Sequence, residues 1–181
     1  MRQPYKRWRN LGRGGDTCFV TTTVLDFVPV FAHDQFADLA VRILFESCTQ
    51  VCAALDAFVV MPHHVHFLLR LPPSINVSRF VQRYKSLSAR EIRPLLPQSV
   101  AQQFKAQAGL NQRTFWQRSF RSVTIDGERF FRQKMTYIHE NPVRAGLVES
   151  SLDWKWSSAR LFDQGSWSEA SGLCYDDWAR Q

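Results

Sequence analysis

The sequence has little of what marks secreted, membrane-spanning or repetitive proteins. Four cysteines occur in 181 residues, and Cys48 and Cys52 stand four apart, which is not the two-residue gap of a zinc knuckle or redox motif. No apolar run follows the basic N-terminus, and none reaches the roughly 18 residues that a membrane span needs. No internal repeat or low-complexity block is present. We therefore expect a cytoplasmic protein with reduced thiols, no signal peptide and no membrane association.

Acidic residues are fewer than basic ones, and this charge balance indicates what kind of partner the protein binds. Lys and Arg number 23 against 16 Asp and Glu, which gives a net charge of +7 and a pI of about 9.6. Such a balance favours a polyanionic partner, most often nucleic acid. Residues 1–15 hold five basic side chains and no acid. We divide the chain into a basic arm at 1–15, one domain at 16–149 and a C-terminal tail at 150–181 that packs on the domain.

Hydrophobic periodicity predicts a mixture of helices and strands. The chain from Asp34 carries apolar residues at three- and four-residue steps, which indicates an amphipathic helix. We expect the last helix to end at Pro142, because the residue before a proline disfavours the helical conformation. The predicted strands are 18–25, 57–61 and 64–71, with a further one within 115–125, and the later helices are 76–92 and 127–141. This order favours an α+β fold with helices on one face of a mostly antiparallel sheet.

Two histidines stand two residues apart on the second strand of the central pair. The period of a strand puts His64 and His66 on one face, with Cα atoms roughly 6.5–7 Å apart. Two imidazoles so placed can chelate one divalent metal and leave positions open for substrate. A polar, solvated sheet face is the alternative. His63 sits at the bend before the strand and would point elsewhere.

Tyr137 and Asn141 lie four residues apart on the last predicted helix, so they share nearly one face. One interpretation of Tyr137 is a rim residue with a hydrated hydroxyl. The other is a nucleophile, although a phenol with a pKa near 10 needs a metal or base beside it to react at neutral pH.

These residues resemble a known family. The segment Met61-Pro-His-His-Val-His-Phe-Leu-Leu69 is similar to the His-hydrophobe-His (HUH) strand of single-strand tyrosine transposases. The segment Tyr137-Ile-His-Glu-Asn-Pro-Val-Arg-Ala-Gly-Leu-Val148 resembles their nucleophile helix and the turn after it. The REP-associated tyrosine transposases are the most similar branch, and Phe115-Trp-Gln-Arg118 and Asp153-Trp-Lys-Trp-Ser-Ser158 resemble it too. The likeness covers about residues 5–162, and both main motifs occur in the family's order.

The resemblance implies a fold, a reaction and a set of site residues. The fold would be the HUH endonuclease fold, a ferredoxin-like antiparallel sheet with the histidines on a central strand. His64, His66 and Asn141 would bind Mg²⁺ or Mn²⁺. Tyr137 would attack a DNA phosphate, leaving a 5′-phosphotyrosine and a free 3′-OH, and no ATP would be needed. His63 stands where the family most often has Asn. We lean towards a monomer, with a homodimer as the alternative.

Basic segments and one aromatic residue are candidates for DNA contact. Lys and Arg side chains could follow a phosphate backbone, and Trp116, interleaved with arginines, could stack on unpaired bases. Each basic run could instead be a solvated surface, and Trp116 could be a core residue. The candidates are Arg7, Arg9, Arg13, Arg79, Arg83, Lys85, Trp116, Arg118 and Arg121, within wider basic faces that include Arg90, Arg113, Arg129, Arg132 and Lys134.

Two functions of different classes fit these residues. The first is a metal-dependent strand transferase that cleaves and rejoins single-stranded or hairpin, REP-like DNA. The alternative is a domesticated protein that binds such hairpins without cutting them. The presence of His64, His66, Tyr137 and Asn141 together favours the enzyme, because binding alone does not need them.

Overall fold

A computed structural model describes residues 14–107, 114–168 and 172–180. Arg7, Arg9 and Arg13 of the predicted basic arm lie outside the described residues. The strands are β1 (Thr17–Thr23), β2 (Ala54–Met61), β3 (His64–Arg70), β4 (Arg121–Thr124), β5 (Trp167–Ser168) and β6 (Gly172–Leu173). The helices are α1 (Asp34–Val51), α2 (Val77–Ile92), α3 (Gln98–Gln107), α4 (Glu128–Arg144), α5 (Ala159–Asp163) and α6 (Tyr175–Ala179). None of the helices within these ranges is long and apolar enough to cross a membrane.

The main sheet has four strands in the order β2-β3-β1-β4. All three pairings are antiparallel, and β3 lies at the centre between β2 and β1. With α1 between β1 and β2, and α2 between β3 and β4, the chain follows the ferredoxin-like β-α-β-β-α-β order. The predicted α+β class with an antiparallel, ferredoxin-like sheet is confirmed.

The two faces of the sheet are covered by different helices. Val65, Phe67 and Leu69 of β3 join the main core under α1 and α2, whereas Leu68 joins a smaller cluster with Phe19 and with Ile138 of α4. The alternation predicted for β3 is therefore confirmed. The expectation that all helices lie on one face is wrong, because α4 packs on the opposite face. Apolar side chains of β1, β2 and β3 on that face supply a second surface that has to be covered.

Helix α4 does not end at Pro142, as the sequence predicted, but continues through it to Arg144. Pro142 is buried, and this packing outweighs the local preference of the preceding residue for an extended conformation. Gly146, two residues after the end of the helix, has a φ of 69°. The Leu147 amide donates to the Pro142 carbonyl (3.0 Å) and the Gly146 amide donates to the Val143 carbonyl (2.9 Å). These two bonds form a Schellman termination, which glycine favours.

The segment after residue 150 follows the outer edge of β2. The Val60 amide donates to the Trp156 carbonyl (2.8 Å), and the Ser158 amide donates to the Phe58 carbonyl (3.0 Å). The Ser158 hydroxyl lies 2.9 Å from Nε2 of His139, so the segment also holds α4. A covered edge strand leaves fewer unpaired backbone groups exposed to other chains.

Candidate active site

The site is built on the histidine pair of β3, on the face that α4 covers. Nε2 of His64 lies 3.0 Å from Nε2 of His66, so the two ring nitrogens converge on one point. His66 is almost completely buried, with 4% of its surface exposed, and His64 is half-buried. Residues i and i+2 of a strand lie on one face, which is why the sequence alone places these rings together.

Both imidazoles are poor bases in this environment. Burial, together with the neighbouring histidines, lowers the pKa of His64 to about 4 and that of His66 to about 3. The rings are therefore neutral at pH 7, which is the form that binds metal ions. Nδ1 of His66 lies 2.8 Å from Oγ1 of Thr21 on β1. Contacts of this kind fix the orientation of a ligating imidazole and leave its other nitrogen for the metal.

Tyr137 packs against His66 of this pair. Its ring centroid is 5.4 Å from that of His66 and 5.8 Å from that of Phe19, with an edge-to-face arrangement in both cases. Ile138, the next residue of α4, is fully buried against the sheet and sets the height of the helix above it. Tyr137 itself is half-buried. The structure therefore brings together the two histidines and the tyrosine that the sequence singled out, although 71 residues separate His66 from Tyr137.

Asn141 lies one turn after Tyr137 on α4 and is half-buried. Within residues 14–107, 114–168 and 172–180, no group of three or more His, Cys, Asp or Glu side chains is arranged to hold a metal ion. A third side-chain ligand beside the histidine pair would therefore be a neutral oxygen donor, and the Asn141 amide is the donor that the resemblance implies.

The donor set fits a divalent cation. Two neutral imidazoles converge at 3.0 Å, and one of them is oriented from behind by Thr21. Two imidazoles and an amide oxygen would leave coordination positions for water and for oxygens of a substrate. Mg²⁺ prefers oxygen ligands and near-ideal octahedral geometry, whereas imidazole is a common ligand of transition metals. The identity of the ion, Mg²⁺ or Mn²⁺, stays a prediction.

Among the residues that the structure describes, His63 does not complete a three-ligand group with the pair, although it lies beside His64. Its ring centroid lies 4.6 Å from that of His64, and its other ring neighbour is Phe27 at 5.4 Å. Phe27 has 60% of its surface exposed and a φ of 58°, and Asp26 before it has a φ of 53°. Two successive non-glycine residues in the left-handed region are strained, and this strained turn borders the site.

Three residues at the site were not identified from the sequence. Thr21 orients His66, and the sequence offers no sign of this contact, because it depends on strand register. Lys134 was grouped with the general basic surface, but its ammonium lies 5.6 Å from the Tyr137 ring centroid. The Arg144 guanidinium lies 5.6 Å from the same centroid. The helical spacing of Lys134 from Tyr137 could have revealed it, because both lie within the predicted helix. Arg144 was missed because the helix was expected to end at Pro142.

The predicted DNA-contacting arginines divide between the two faces. Arg121 of β4 pairs with Thr21 in the antiparallel ladder, so its exposed side chain lies on the face of the histidine pair. Arg118 is also exposed, in the segment before β4. Arg79 and Arg83 are exposed on α2, which packs on the other face. The structure does not bring these two arginines to Tyr137.

The prediction that Trp116 stacks on unpaired bases is wrong, because Trp116 is a core residue with 5% of its surface exposed. Its indole Nε1 donates to the Ser88 hydroxyl at 3.0 Å, and its ring packs against Phe31 and Tyr84. An aromatic residue between arginines does not reveal which face it takes. Here a backbone bridge to Val24 turns it inward.

Lys85 does not present the free surface charge that the sequence suggested. Its ammonium donates to the carbonyls of Gln117 (2.6 Å) and Ser119 (3.1 Å) and is half-buried. Burial lowers the pKa of Lys85 to about 8. The residue therefore ties the segment before β4 to α2, and its contribution to a basic surface is reduced.

Comparison with known proteins agrees with this arrangement. The sequence family described as "Transposase IS200 like" matches residues 28–141, a range that contains both histidines, Tyr137 and Asn141. The REP-associated tyrosine transposase of Escherichia coli strain K12 is 30% identical over 125 residues, which are 69% of this chain and 62% of that protein. A Haemophilus influenzae protein that carries the same name provisionally is 31% identical over 102 residues, or 56% of each chain. The matches span less than two thirds of each relative's length.

A solved structure extends the likeness to the fold of nearly the whole chain. It is a REP-associated tyrosine transposase bound to a REP hairpin, with a TM-score of 0.64, 22% sequence identity, and coverage of 96% of this chain and 98% of the other. At this identity the comparison establishes the fold, and the HUH fold that the resemblance implied is confirmed. The match of the family to 114 of the 181 residues, counted from 28 to 141, establishes the ancestry. The chain belongs to the IS200-like transposase family.

Proposed function

We propose that the protein cleaves and rejoins single-stranded or hairpin, REP-like DNA through a covalent bond to Tyr137. The observation that carries this proposal is the contact of Tyr137 with His66, whose Nε2 converges with that of His64; the ring centroids of His66 and Tyr137 are 5.4 Å apart. Membership in a transposase family supports a DNA-cleaving role, and a REP hairpin is bound by the solved relative. The net charge of +7 supports a DNA partner.

The reaction is a transesterification at one phosphodiester. The phenolic oxygen of Tyr137 forms a bond to phosphorus, and the bond between phosphorus and the 3′ oxygen of the preceding nucleotide breaks. The phenolic proton is transferred, in net terms, to the departing 3′ oxygen. The strand then carries a free 3′-OH on one side and a 5′-phosphotyrosine on the other. Attack by a 3′-OH reverses these steps and rejoins the strand, and the bond energy is retained throughout.

Different residues of the protein bind the metal, orient its ligands and position the nucleophile in this step. His64, His66 and Asn141 would hold Mg²⁺ or Mn²⁺, which supplies charge to polarise the phosphate and to stabilise the leaving oxygen. Thr21 keeps the His66 ring oriented, and the neutral state of both rings keeps their lone pairs available. The edge-to-face contacts with Phe19 and His66 hold the Tyr137 ring beside the pair. A fixed nucleophile removes part of the entropic cost of the reaction.

A labelled hairpin with single-stranded flanks tests the proposal. The protein is incubated with the 3′-labelled strand and Mg²⁺, Mn²⁺ or EDTA, and the products are separated on a denaturing gel. We expect metal-dependent transfer of the 3′-labelled fragment to the wild-type protein, because that fragment carries the 5′-phosphate. Tyr137→Phe should abolish the transfer and retain hairpin binding, with Tyr175→Phe as the matched control. Hairpin binding without any transfer in the wild type would support the non-cleaving alternative instead.

A further inference from the structure

Two cations, Lys134 and Arg144, flank Tyr137. The Lys134 ammonium and the Arg144 guanidinium each lie 5.6 Å from the Tyr137 ring centroid. Among the ion pairs between residues that the structure describes, neither residue takes part. Arg132 on the same helix does pair, with Glu128 one turn earlier. We propose that Lys134 and Arg144 form a subsite for a phosphodiester group of the bound strand, beside the tyrosine hydroxyl.

The aromatic surroundings of Lys134 hold its charge at this place. The ammonium lies 4.9 Å from the Phe19 ring centroid and 5.3 Å from that of Phe130, in addition to its contact with Tyr137. Ring faces attract a cation, but they accept no strong hydrogen bonds from its three N–H donors. The side chain is half-buried, so part of its hydration is already lost. A phosphate oxygen would satisfy donors that the three rings leave available.

Arg144 approaches from the other end of Tyr137. Along the helix axis, Lys134 lies about 4.5 Å before Tyr137 and Arg144 about 10.5 Å after it, at 1.5 Å per residue. Arg144 belongs to the turn that α4 gains by continuing past Pro142 to its Gly146 termination. The planar guanidinium can bind two oxygens of one phosphate, and an ammonium can bind a third as a point charge.

A phosphodiester is the anion that fits these observations. Both cations lie 5.6 Å from the centroid of the same phenol ring, so an anion that they bind lies close to Tyr137. The inference rests on the proposed function for the identity of the strand, but it does not require that cleavage take place. A solvated basic surface is the alternative, and it predicts no dependence on any single phosphate.

Binding measurements on modified strands test the subsite. They are made in the Tyr137→Phe background with a hairpin whose single-stranded flank carries one neutral methylphosphonate, moved one position at a time. We expect Lys134→Met and Arg144→Gln each to weaken binding of the unmodified strand about tenfold, as for loss of a charge-assisted hydrogen bond. When the methylphosphonate replaces the phosphate that the subsite binds, each substitution should change the affinity less than twofold, because the contact is already lost. Lys134→Arg should restore most of the affinity.

A matched control removes a positive charge that lies outside the proposed DNA contacts. Arg180 is exposed and paired with Asp177, and Arg180→Met should change every affinity less than twofold. Equal weakening of all modified and unmodified strands by Lys134→Met would overturn the subsite and indicate a diffuse electrostatic effect. So would unchanged binding in both variants, even if the wild type cleaves DNA. If the wild type binds but never cleaves, the methylphosphonate dependence still decides the subsite, and only the proposed reaction fails.

Discussion

The two faces of the central strand differ in composition, although they share one backbone. Val65, Phe67 and Leu69 point to a dry core under α1 and α2, and all three are fully buried. His64 and His66 point to the opposite face, with Thr21 and Tyr137 around them. Adjacent residues of a strand alternate between faces, so neighbours in sequence can be selected for stability and for chemistry independently.

The buried polar groups on the face of the histidine pair are held by specific partners, beside the apolar cluster that packs under α4. The Asp56 side chain has no exposed surface, and it accepts hydrogen bonds from the Arg70 guanidinium (2.8 Å) and from Trp167 Nε1 (3.2 Å). Burial raises the pKa of the Asp56 carboxyl, and Arg70 opposes that change. Each buried polar group on this face therefore needs a specific partner, because an unpaired one is costly. The opposite face is stabilised mainly by close packing.

His66→Ala should have the largest effect, and the effect should be on metal binding and cleavage rate. Loss of one imidazole would weaken metal binding and remove several kcal/mol of transition-state stabilisation, which corresponds to a fall in cleavage rate of about 10³-fold or more. Single-turnover cleavage in Mn²⁺ and Mn²⁺ titration by calorimetry measure the two effects. A variant with wild-type cleavage would contradict the assignment of the histidine pair. Circular dichroism confirms that the fold is retained.

Phe67→Ala, one residue further along β3, should lower stability and leave cleavage by the folded protein unchanged. Phe67 is fully buried against Phe80 and Tyr84, with ring centroids 5.8 Å away in both cases. The free energy of unfolding should fall by about 3–5 kcal/mol, as for other aromatic truncations in cores. Urea denaturation measures this loss, and cleavage per folded molecule should remain near that of the wild type. A change below about 1 kcal/mol would show that this face is not tightly packed.

Trp116→Phe and Arg121→Gln separate packing from DNA contact. Trp116→Phe removes a buried hydrogen bond to Ser88 and should cost about 1–3 kcal/mol of stability, without changing DNA affinity.

Arg121→Gln removes an exposed charge on the face of the histidine pair and should leave stability within about 0.5 kcal/mol. It should reduce the slope of log affinity against log salt by about 1 if Arg121 contacts a phosphate. Denaturant unfolding and salt titrations of hairpin binding distinguish the two residues, and reversed outcomes would contradict the assignment.

The smallest effect concerns Lys85 and the pH dependence of stability. Burial lowers the pKa of Lys85 to about 8 in the folded protein, below its usual value near 10.4 in the unfolded chain. Between these two values the unfolded chain binds more protons, so the contribution of Lys85 to stability rises as pH increases from about 8 to about 10.4. Unfolding at pH 7.5 and 9.5 should show a rise on the order of 1 kcal/mol or less that Lys85→Met lacks. Identical pH slopes in both proteins would contradict the assignment.

The sequence predicted the elements of the sheet because the strands are strongly periodic. The alternation of β3 located the histidine pair and its face, and the family motifs added Tyr137 and Asn141. The extent of α4 could not be predicted, because burial of Pro142 and the Gly146 termination outweigh a local rule. That error also concealed Arg144, which lies on the turn beyond the expected helix end.

Other features depend on contacts between distant segments. Trp116 and Lys85 have the residue types of a DNA-binding surface, and only the docking of residues 115–119 on α2 makes one a core residue and the other a structural donor. The Thr21 contact with His66 follows from the pairing of β1 with β3, and no pattern within either strand specifies it. The metal and the oligomeric state remain predictions.

In the single chain that the structure describes, Tyr137 packs against the histidine pair of the same chain. Helix α4 is held over its own sheet by Ile138 and by the contact between His139 and Ser158. We predict that the nucleophile acts with the histidines of its own chain. Co-expression of a Tyr137→Phe chain with a His66→Ala chain should therefore fail to restore activity, and the two alleles should not complement.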